Sequence, residues 1–505
     1  MKLRLKLGVA FTLINGLLYG QSSVRLETAP QEQIISRHIY GHFAEHLGRC
    51  IYDGFYVGEK NDSIPHADGI RKDVIEALKN LNIPNLRWPG GCFADTYHWK
   101  DGVGPKAKRP AIVNNWWGGV TEDNSFGTHD FLNMCELLGA EPYLAGNVGS
   151  GEVQELADWV QYVNFKGESP MSDWRRKNGR QEPWKVKFWG VGNEAWGCGG
   201  NMTADYYTDI YRKYATFMSD WTNGSGLYRI ASGANSADYN WTETLMKKIP
   251  AGLMKGMGLH HYAVINWDKK GSATAYSEEE YFKTMKSAWF MNELVEKNIA
   301  IMDKYDPKGL VDLIVDEWGG WYEVEPGTNP GFLYQQNTMR DAMIAGMTLN
   351  IFNNHARRVK MANLAQAVNV LQAVILTPTY HVMEMYKVHQ DAKLIPISLQ
   401  STDLEFKNEK IPAVSVSASQ DKQGRTHISL VNIDPKKKNK IQVDLGALKA
   451  GKVTGRILTA EHLRDYNSFE KPTTITPVVY NKAKLVNGTI EVEIPAFSVI
   501  VLELI

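Results

Sequence analysis

Two glutamates stand at comparable places in the chain, each directly after a short run rich in apolar residues. Glu194 follows residues 188–192 and Asn193, and Glu317 follows residues 311–316. If both runs are parallel strands of one barrel, their carboxyl ends form one mouth and the two side chains converge there. Two carboxyl groups about 5 Å apart, one protonated and one ionised, hydrolyse glycosides with retention of configuration. The pair predicts a retaining glycosidase, although either glutamate alone would be interpreted as a salt-bridge or capping residue.

The elements that must position these glutamates alternate between β-rich runs and amphipathic helical stretches from about residue 40 to 385. Eight candidate strands cover residues 40–44, 85–88, 141–146, 188–192, 228–232, 257–260, 311–316 and 360–364. Helices are predicted between them, for example over residues 68–81 and over residues 203–221 with Thr203 as N-cap. The alternation predicts an α/β fold, a (β/α)8 TIM barrel with its reacting groups at the carboxyl ends of the strands.

The texture of the sequence changes after residue 385. Residues 413–418, 427–431, 441–445 and 490–494 alternate apolar with polar side chains. Such alternation is typical of half-buried antiparallel strands. Residues 386–505 are therefore predicted to form a jelly-roll-like antiparallel β-sandwich, and residues 23–39, where Val24 and Leu26 alternate with polar residues, to add a strand to it. The barrel itself is assigned to residues 40–385.

The N-terminal segment 1–22 begins with three basic residues, continues with an apolar run over residues 7–18 and ends in small and polar residues. This order is typical of a secretory signal peptide. We therefore expect export to the periplasm or the extracellular space, and no membrane span in the mature protein. Removal of the segment would leave 56 − 3 = 53 basic against 56 acidic residues, a net charge of −3.

The composition narrows the function classes. The 56 Lys and Arg residues balance 56 Asp and Glu residues, so a nucleic-acid partner is not expected. The 15 Trp and 23 Tyr residues suit stacking on the apolar faces of sugars as well as core packing. The four cysteines form no Cys-x-x-Cys pair, so a structural zinc site or a thioredoxin-like redox site has no support, and no metal site is predicted. One disulfide could form in an oxidising compartment, but the spacing does not assign it.

An ordered set of motifs carries a family resemblance from about residue 24 to the C-terminus. The motifs are Gly41-His42-Phe43-Ala44-Glu45-His46-Leu47-Gly48-Arg49, Leu86-Arg87-Trp88-Pro89-Gly90-Gly91, Trp99-Lys100-Asp101-Gly102-Val103-Gly104-Pro105, Gly190-Val191-Gly192-Asn193-Glu194, Leu259-His260-His261-Tyr262 and Asp316-Glu317-Trp318. The sequence resembles glycoside hydrolase family 51, the α-L-arabinofuranosidases of the large retaining barrel clan. The Gly-Asn-Glu motif alone is shared across the clan, whereas the ordered set is specific.

The resemblance implies the role of each site residue. Glu194 would be the general acid/base, and Glu317 the nucleophile of a double displacement through a covalent glycosyl-enzyme. The sugar-binding residues that it implies are Glu45, Asn193, His260, Tyr262 and Gln366. The expected substrates are arabinose-containing hemicellulose or pectin polysaccharides and oligosaccharides, cleaved from the end without a cofactor. Because members of the family are often homo-oligomers, a homo-oligomer is expected.

One position departs from the family pattern. Well-known members carry Asn after Pro-Gly-Gly, whereas this chain has Cys92. A thiol is a weaker hydrogen-bond partner than an amide, so a contact with a sugar hydroxyl would be altered at this substrate-binding position. Cys92 could instead form the pocket wall or a disulfide.

Three other interpretations stay open at this point. His42, Glu45 and His46 fit the His-x-x-Glu-His zinc-peptidase signature, but that signature needs a helix and glycines flank the motif here. A non-catalytic carbohydrate-binding protein would be expected to lack one of the catalytic glutamates. A clan relative could act on β-xylan or β-glucan, with tryptophans lining the subsites.

Overall fold

The computed structural model describes residues 22–27, 32–222, 224, 226–250, 252–366 and 376–505. The predicted signal peptide therefore lies outside the described residues, apart from Ser22. The first thirteen strands are β1 Ser22–Leu26, β2 Gly41–Phe43, β3 His66–Ala67, β4 Ile70–Arg71, β5 Asn85–Trp88, β6 Ile112–Val113, β7 Thr121–Glu122, β8 Glu141–Gly146, β9 Phe188–Val191, β10 Tyr228–Asn235, β11 Gly256–Ala263, β12 Asp312–Gly320 and β13 Val359–Ala365. The α-helices are α1 Lys72–Asn80, α2 Thr128–Leu138, α3 Val153–Asn164, α4 Pro170–Lys177, α5 Ala204–Phe217, α6 Tyr239–Lys248, α7 Glu278–Tyr305, α8 Met339–Asn354 and α9 Pro378–Tyr386.

Eight of these strands close into a parallel barrel in the order β2-β5-β8-β9-β10-β11-β12-β13. Each corresponds to one of the eight predicted strands, and the predicted barrel is confirmed. Apolar side chains from the first halves of the strands fill its interior, namely Tyr143, Phe188, Ile230, Ile314 and Met361. Because that end is packed, the open space lies at the carboxyl ends of the strands, as in other barrels of this kind.

Two barrel strands are longer than predicted. β11 extends to Ala263 and β12 to Gly320, and the extensions pair in parallel with His260 opposite Glu317. Glu317 therefore lies inside β12 and not after its end, which corrects the prediction that the strand stops at Asp316. The physical reason is that each extension supplies the backbone partners of the other, so the ladder continues past the bulge between Gly258 and His260.

The predicted helices are present with shifted ends. α1 begins at Lys72, because Ile70 pairs with Ala67 in the short hairpin of β3 and β4. α5 ends at Phe217, and Thr203 is its N-cap, as predicted, with a side chain that accepts a hydrogen bond from the backbone N–H of Tyr206. Within the described residues, no helix combines the length and apolar character needed to span a membrane.

The C-terminal strands form two packed sheets. They are β14 Lys393–Ile395, β15 Ile397–Gln400, β16 Asp403–Phe406, β17 Glu409–Pro412, β18 Val414–Gln420, β19 Thr426–Asn432, β20 Asn439–Asp444, β21 Val453–Leu458, β22 Val478–Tyr480, β23 Lys484–Val486, β24 Thr489–Ile494 and β25 Ser498–Leu504. The sheets have the orders β15-β1-β20-β24-β23 and β14-β18-β19-β25-β21-β22. Inward-facing apolar residues such as Val416, Leu430 and Ile490 form the core between them. The predicted sandwich is confirmed.

The N-terminal strand joins this sandwich in an unexpected direction on one side. β1 is antiparallel to β15 but parallel to β20. The prediction of a purely antiparallel sandwich is wrong at this pair, because β1 enters the sheet from the segment before the barrel and not through a hairpin. We propose the boundary between barrel and sandwich at residues 385–386, next to the end of α9.

Helix α8 holds the barrel against the sandwich. Its residues are buried from Met339 to Asn353, and two of its asparagines contact strand β18. Asn350 Nδ2 donates to Ser415 Oγ at 3.2 Å, and Asn353 Nδ2 donates to Ser417 Oγ at 3.1 Å. These paired polar groups satisfy one another in the interface, so the barrel rests on a fixed support.

Candidate active site

The carboxylate of Glu317 lies in a charged and hydrogen-bonded environment within β12. Arg87, on β5, donates from Nη1 to Glu317 Oε1 at 2.9 Å, and Tyr262, on β11, donates from Oη to Oε2 at 2.9 Å. The Arg87 guanidinium is itself buried and lies over the ring of Phe43. A buried cation and a hydroxyl donor are partners that suit an ionised carboxylate.

The carboxyl group of Glu194 has a different environment. It follows β9 by three residues, and its Oε1 lies 2.8 Å from Nδ1 of His260. Burial raises the pKa of Glu194, and the negative charge of Glu317 acts in the same direction, against the hydrogen bond and the charge of His260. A carboxyl group with a raised pKa keeps its proton to higher pH, as a general acid requires.

The two carboxyl groups converge as the sequence predicted. Oxygen atoms of Glu194 and Glu317 and the ring nitrogen of His260 all lie within 4.8 Å of one another. Retaining glycosidases hold their two carboxyl groups about 5 Å apart, whereas inverting enzymes leave more room for a water molecule. The separation fits the retaining arrangement.

His260 connects three acidic side chains. Its Nδ1 faces Glu194, and its Nε2 lies 3.2 Å from Oδ1 of Asp316. Burial opposes the charged imidazolium, but the carboxylates of Glu317, Asp316 and Glu194 outweigh it and raise the pKa of His260 to about 10. For Asp316, the bond to His260 and the charges of His260 and Arg87 outweigh burial and lower the pKa. His260 therefore carries a positive charge at neutral pH.

Glu45 and Gln366 form the side of the site that faces β2 and β13. Gln366 donates from Nε2 to Glu45 Oε2 at 3.1 Å, and the backbone N–H groups of Gly91 and Phe93 donate to Glu45 Oε1 at 2.9 and 3.1 Å. Burial, followed by the charge of Glu317, raises the pKa of Glu45 to about 7. Residues 367–369, which follow Gln366 in its motif, lie outside the described residues.

A cavity of about 730 Å³ opens in front of these groups. Its lining includes every predicted site residue except Asn193, which lies just behind the lining and accepts a hydrogen bond from Arg87 Nη2 to its Oδ1 at 2.5 Å. Gly91 is required in this wall, since a Cβ there would lie 2.6 Å from Glu317 Oε1. Tryptophans 117, 196, 267 and 321 line the outer cavity.

Three residues of this network were not predicted from the sequence. Arg87 binds Glu317 and Asp316 binds His260, both from inside strands, and Asp95 accepts backbone hydrogen bonds from Val148, Gly149 and Asn193 at 2.7 to 2.8 Å. Burial raises the pKa of Asp95 to about 7, against the effect of these three donors. The available signal was a charged residue inside an otherwise apolar strand, as at Arg87 between Leu86 and Trp88.

Cys92 does not present a thiol to the cavity. It forms a disulfide with Cys198, so the expectation of a thiol in place of the usual Asn is wrong and the disulfide alternative is confirmed. The sequence could not assign this pair because 106 residues separate the two cysteines. Sγ of Cys198 lies 3.6 Å from Oε2 of Glu194.

The zinc-peptidase alternative does not fit the geometry. His42 lies in β2, and Glu45 and His46 lie in the loop that follows, so the helix required by the signature is not formed. His46 is buried among aromatic rings and accepts a hydrogen bond from Trp88 Nε1 at 3.1 Å.

Among the described residues, two groups could converge on a cation: Cys92, Glu194 and Cys198, and Glu194, His260 and Glu317. The sulfurs of the first group are bonded to each other. In the second group a metal could bind His260 only by displacing the proton that the neighbouring carboxylates favour.

Comparison with known proteins agrees with this geometry. Two family models match, the α-L-arabinofuranosidase 1 domain over residues 77–282 and the α-L-arabinofuranosidase C-terminal domain over residues 316–498. A protein from Bacteroides ovatus, named an intracellular exo-α-L-arabinofuranosidase, is 50% identical over 516 aligned residues that cover 100% of both chains. The chain belongs to the α-L-arabinofuranosidase family.

Solved structures place this arabinofuranosidase family member in glycoside hydrolase family 51. The crystal structure of the family 51 arabinofuranosidase from Xanthomonas axonopodis pv. citri is 44% identical, with a TM-score of 0.93, and the match covers 96% of this chain and 100% of that one. An α-L-arabinofuranosidase from Thermotoga maritima, solved with arabinose, is 31% identical with a TM-score of 0.84 and the same coverage. The predicted family and enzyme class, a glycoside hydrolase, are confirmed.

The prediction of an exported protein is wrong. The Bacteroides ovatus arabinofuranosidase, which matches this chain over its full length, is named as intracellular. A basic start followed by an apolar run of about a dozen residues was therefore an insufficient signal for export.

Proposed function

We propose that this chain is a retaining, exo-acting α-L-arabinofuranosidase in which Glu317 is the nucleophile and Glu194 the general acid/base. The observation that carries the proposal is the pair of carboxyl groups within 4.8 Å of each other, each with a different set of partners. One is paired with the Arg87 guanidinium, and the other has a raised pKa. Opposite protonation of two neighbouring carboxyl groups is the requirement of this mechanism.

In the first step, Glu317 attacks the anomeric carbon while Glu194 protonates the departing glycosidic oxygen. The carbon–oxygen bond to the leaving group breaks as the bond to the carboxylate forms, which gives a glycosyl ester on Glu317. The Tyr262 hydroxyl and Arg87 orient the nucleophile through its two oxygens. Arg87 also binds the Asn193 amide oxygen, so the N–H₂ group of Asn193 remains as the donor that we propose for a sugar hydroxyl.

In the second step, Glu194 is ionised and removes a proton from a water molecule that attacks the same carbon. The ester to Glu317 breaks, and arabinose leaves with its original configuration. His260, positively charged and 2.8 Å from Glu194, stabilises the ionised form that this step needs. Protonation of Glu194 thus alternates between the two steps, while Glu317 starts each cycle as a carboxylate.

The deep end of the cavity suits a single terminal sugar. Glu45 and Gln366 offer buried hydrogen-bond groups to its hydroxyls, which supports release of one sugar at a time from a chain end. We propose arabinose-containing hemicellulose or pectin fragments as substrates and the interior of the cell as the place of action, by analogy with the intracellular relative. The expected homo-oligomer stays a prediction that light scattering on purified protein would measure.

A panel of nitrophenyl glycosides tests this proposal. The panel holds the α-L-arabinofuranoside, β-D-xyloside, β-D-glucoside and β-D-galactofuranoside, each assayed with and without a chelator. We expect chelator-resistant release from the arabinofuranoside, and NMR of the early product should give the α-anomer. Preferential release of xylose or glucose, or an inverted product, would refute the proposal.

A further inference from the structure

The turn that contains Glu194 is linked at two points to the turn that follows β5. The first is the disulfide between Cys92 and Cys198. The second is the hydrogen bond from the backbone N–H of Asn193 to Oδ2 of Asp95 at 2.8 Å. Both links start in the same short helical turn, Cys92–Thr96, and both end at residues close to Glu194.

The turn from Glu194 to Gly199 has little freedom of its own. The carbonyl of Glu194 accepts hydrogen bonds from the backbone N–H groups of Gly197 at 2.7 Å and Gly199 at 3.1 Å. Glu194 itself has a φ of 39°, in the left-handed region that non-glycine residues rarely adopt. Such a conformation persists only where the surroundings impose it. Cys198 lies inside this turn, so the disulfide is one of the constraints that impose it.

The disulfide also contacts the acid/base directly. Sγ of Cys198 lies 3.6 Å from Oε2 of Glu194 and 3.9 Å from Nδ2 of Asn193. By contrast, both oxygens of Glu317 accept hydrogen bonds from other side chains, one from Arg87 and one from Tyr262. A change in the bond between Cys92 and Cys198 would therefore reach Glu194 by direct contact, and would reach Glu317 only through the neighbouring backbone at Gly91.

We propose that the Cys92–Cys198 disulfide positions Glu194 for acid catalysis, and that its reduction lowers turnover of substrates whose leaving group needs a proton. This inference rests on the proposed function, in which Glu194 is the acid. In the reaction, a dithiol reductant supplies two electrons, the bond between the two sulfurs breaks, each sulfur takes up a proton, and the reductant becomes a disulfide.

The physical reason is steric as well as electrostatic. Two thiols cannot stay at bonding distance, so the sulfurs must separate, and the Cys198 sulfur is already in contact with Glu194. A new S–H group beside the carboxyl group can also donate to it, which competes with the geometry needed for proton transfer. The hydrogen bond from Asn193 to Asp95 stays, so the turn keeps one of its two links. Acid catalysis should therefore be weakened but not abolished.

A reductant can reach this bond. Cys92 and Cys198 are both partly exposed, and Cys92 lines the cavity, whereas the free thiols of Cys50 and Cys135 are buried. Intracellular thiol pools keep most protein thiols reduced. At the proposed intracellular location, the redox state of this pair is therefore a variable that can set the activity.

Oxidised and reduced full-length enzyme would be compared on two arabinofuranosides, one with a 2,4-dinitrophenyl and one with a phenyl leaving group. Alkylation and mass spectrometry would count the thiols, and circular dichroism would check the fold at the assay temperature. We expect kcat/KM for the phenyl substrate to fall by roughly tenfold on reduction, below the 10²–10⁴-fold supplied by a general acid, with little change for the dinitrophenyl substrate.

Two variants isolate the effect. Cys92→Ser/Cys198→Ser should reproduce the reduced enzyme and be insensitive to reductant. Cys50→Ala/Cys135→Ala keeps the disulfide and removes the buried thiols, so its response to reductant should match that of the unmodified chain.

The outcomes are distinguishable. Equal losses on both substrates, or no loss when both thiols are alkylated, would overturn the inference while leaving the proposed function intact. No release from either substrate by the oxidised enzyme would refute the proposed function and this inference together.

Discussion

The two carboxyl groups proposed as catalytic lie at the same barrel mouth but on backbones of different kinds. Glu317 lies within β12, flanked by β11 on one side and β13 on the other, and its side chain is 7% exposed. Glu194 lies beyond the end of β9 in a tight turn with a left-handed φ, and its side chain is 18% exposed. The proposed nucleophile thus lies within the sheet, and the proposed acid/base lies in a loop.

This difference matches what each group must do. The nucleophile keeps one protonation state at the start of each cycle and needs fixed aim, which the strand, Arg87 and Tyr262 provide. The acid/base gives up and regains a proton, and its environment balances burial against the positive charge of His260. The barrel mouth therefore holds two carboxyl groups within 4.8 Å of each other, with different proposed roles. Glu317 is proposed to start each cycle ionised, and Glu194 to change its protonation state between the two steps.

Removal of the Glu317 carboxylate should have the largest effect on activity. Glu317→Ala is expected to lower kcat by roughly four orders of magnitude or more, because the covalent intermediate can no longer form. Azide should restore part of the activity and give an arabinosyl azide of inverted configuration, identified by NMR. Activity within tenfold of the unmodified enzyme would contradict the nucleophile assignment.

Removal of the Glu194 carboxyl group should lower the rate by a factor that depends on the leaving group. Glu194→Ala is expected to slow the phenyl arabinofuranoside by about 10²–10⁴-fold, because its leaving group needs a proton. The first step with a dinitrophenyl substrate needs little protonation, and stopped-flow measurement of the dinitrophenolate burst should show a much smaller loss. Equal losses in the two measurements would place Glu194 outside acid catalysis.

The sequence was sufficient to find both groups but not their surroundings. Glu194 and Glu317 were predicted because apolar runs precede them and because the ordered motifs surround them. The extension of β12 could not be predicted, since Trp318-Gly319-Gly320 has no strand-like alternation and is ordered by pairing with β11. Long-range pairing of this kind depends on tertiary structure and not on local propensity.

The same limit applies to the partners of the site. Arg87, Asp95 and Asp316 act across the barrel, and a periodic pattern carries no information on which strand faces which. The disulfide needed a spatial distance between two residues 106 positions apart. Predictions from the sequence thus identified two carboxyl groups that the structure brings together at one barrel mouth, and they were incomplete for the network around them.

A substitution at His260 tests that network with a smaller effect. In the unmodified protein the hydrogen bond and positive charge of His260 lower the pKa of Glu194 against burial, which raises it. His260→Asn removes the charge, so the pKa of Glu194 should rise and the acid should stay protonated to higher pH. The alkaline limb of the kcat/KM profile should therefore move upward, with about a tenfold loss at the optimum. A limb that moves downward would contradict the proposed coupling.

The rim of the cavity also differs between the Glu317 side and the Glu194 side. A substitution in the rim on the Glu317 side should have the smallest of the expected effects on activity. On the Glu317 side, Tyr262 meets Trp321 at a ring-centroid distance of 4.8 Å, and Trp321 meets Trp267 at 5.4 Å. Trp267 is 54% exposed at the end of this aromatic row and lines the cavity, so we expect the remaining sugars of a longer substrate to contact it. Aromatic contacts contribute about 0.5–1.5 kcal/mol each, so Trp267→Ala should lower kcat/KM on arabino-oligosaccharides by about two- to tenfold.

The same substitution should leave the dinitrophenyl arabinofuranoside unchanged, because that substrate has no sugar in its leaving group. Trp267→Phe, which keeps an aromatic face, should retain most of the oligosaccharide activity. Trp116 is a matched control, since it is 40% exposed but does not line the cavity, and Trp116→Ala should leave both activities unchanged. An equal loss on both substrates for Trp267→Ala would mean that the aromatic row supports Tyr262 and Glu317 and does not bind the longer substrate. The difference between the Glu317 side and the Glu194 side would then be limited to the carboxyl groups themselves.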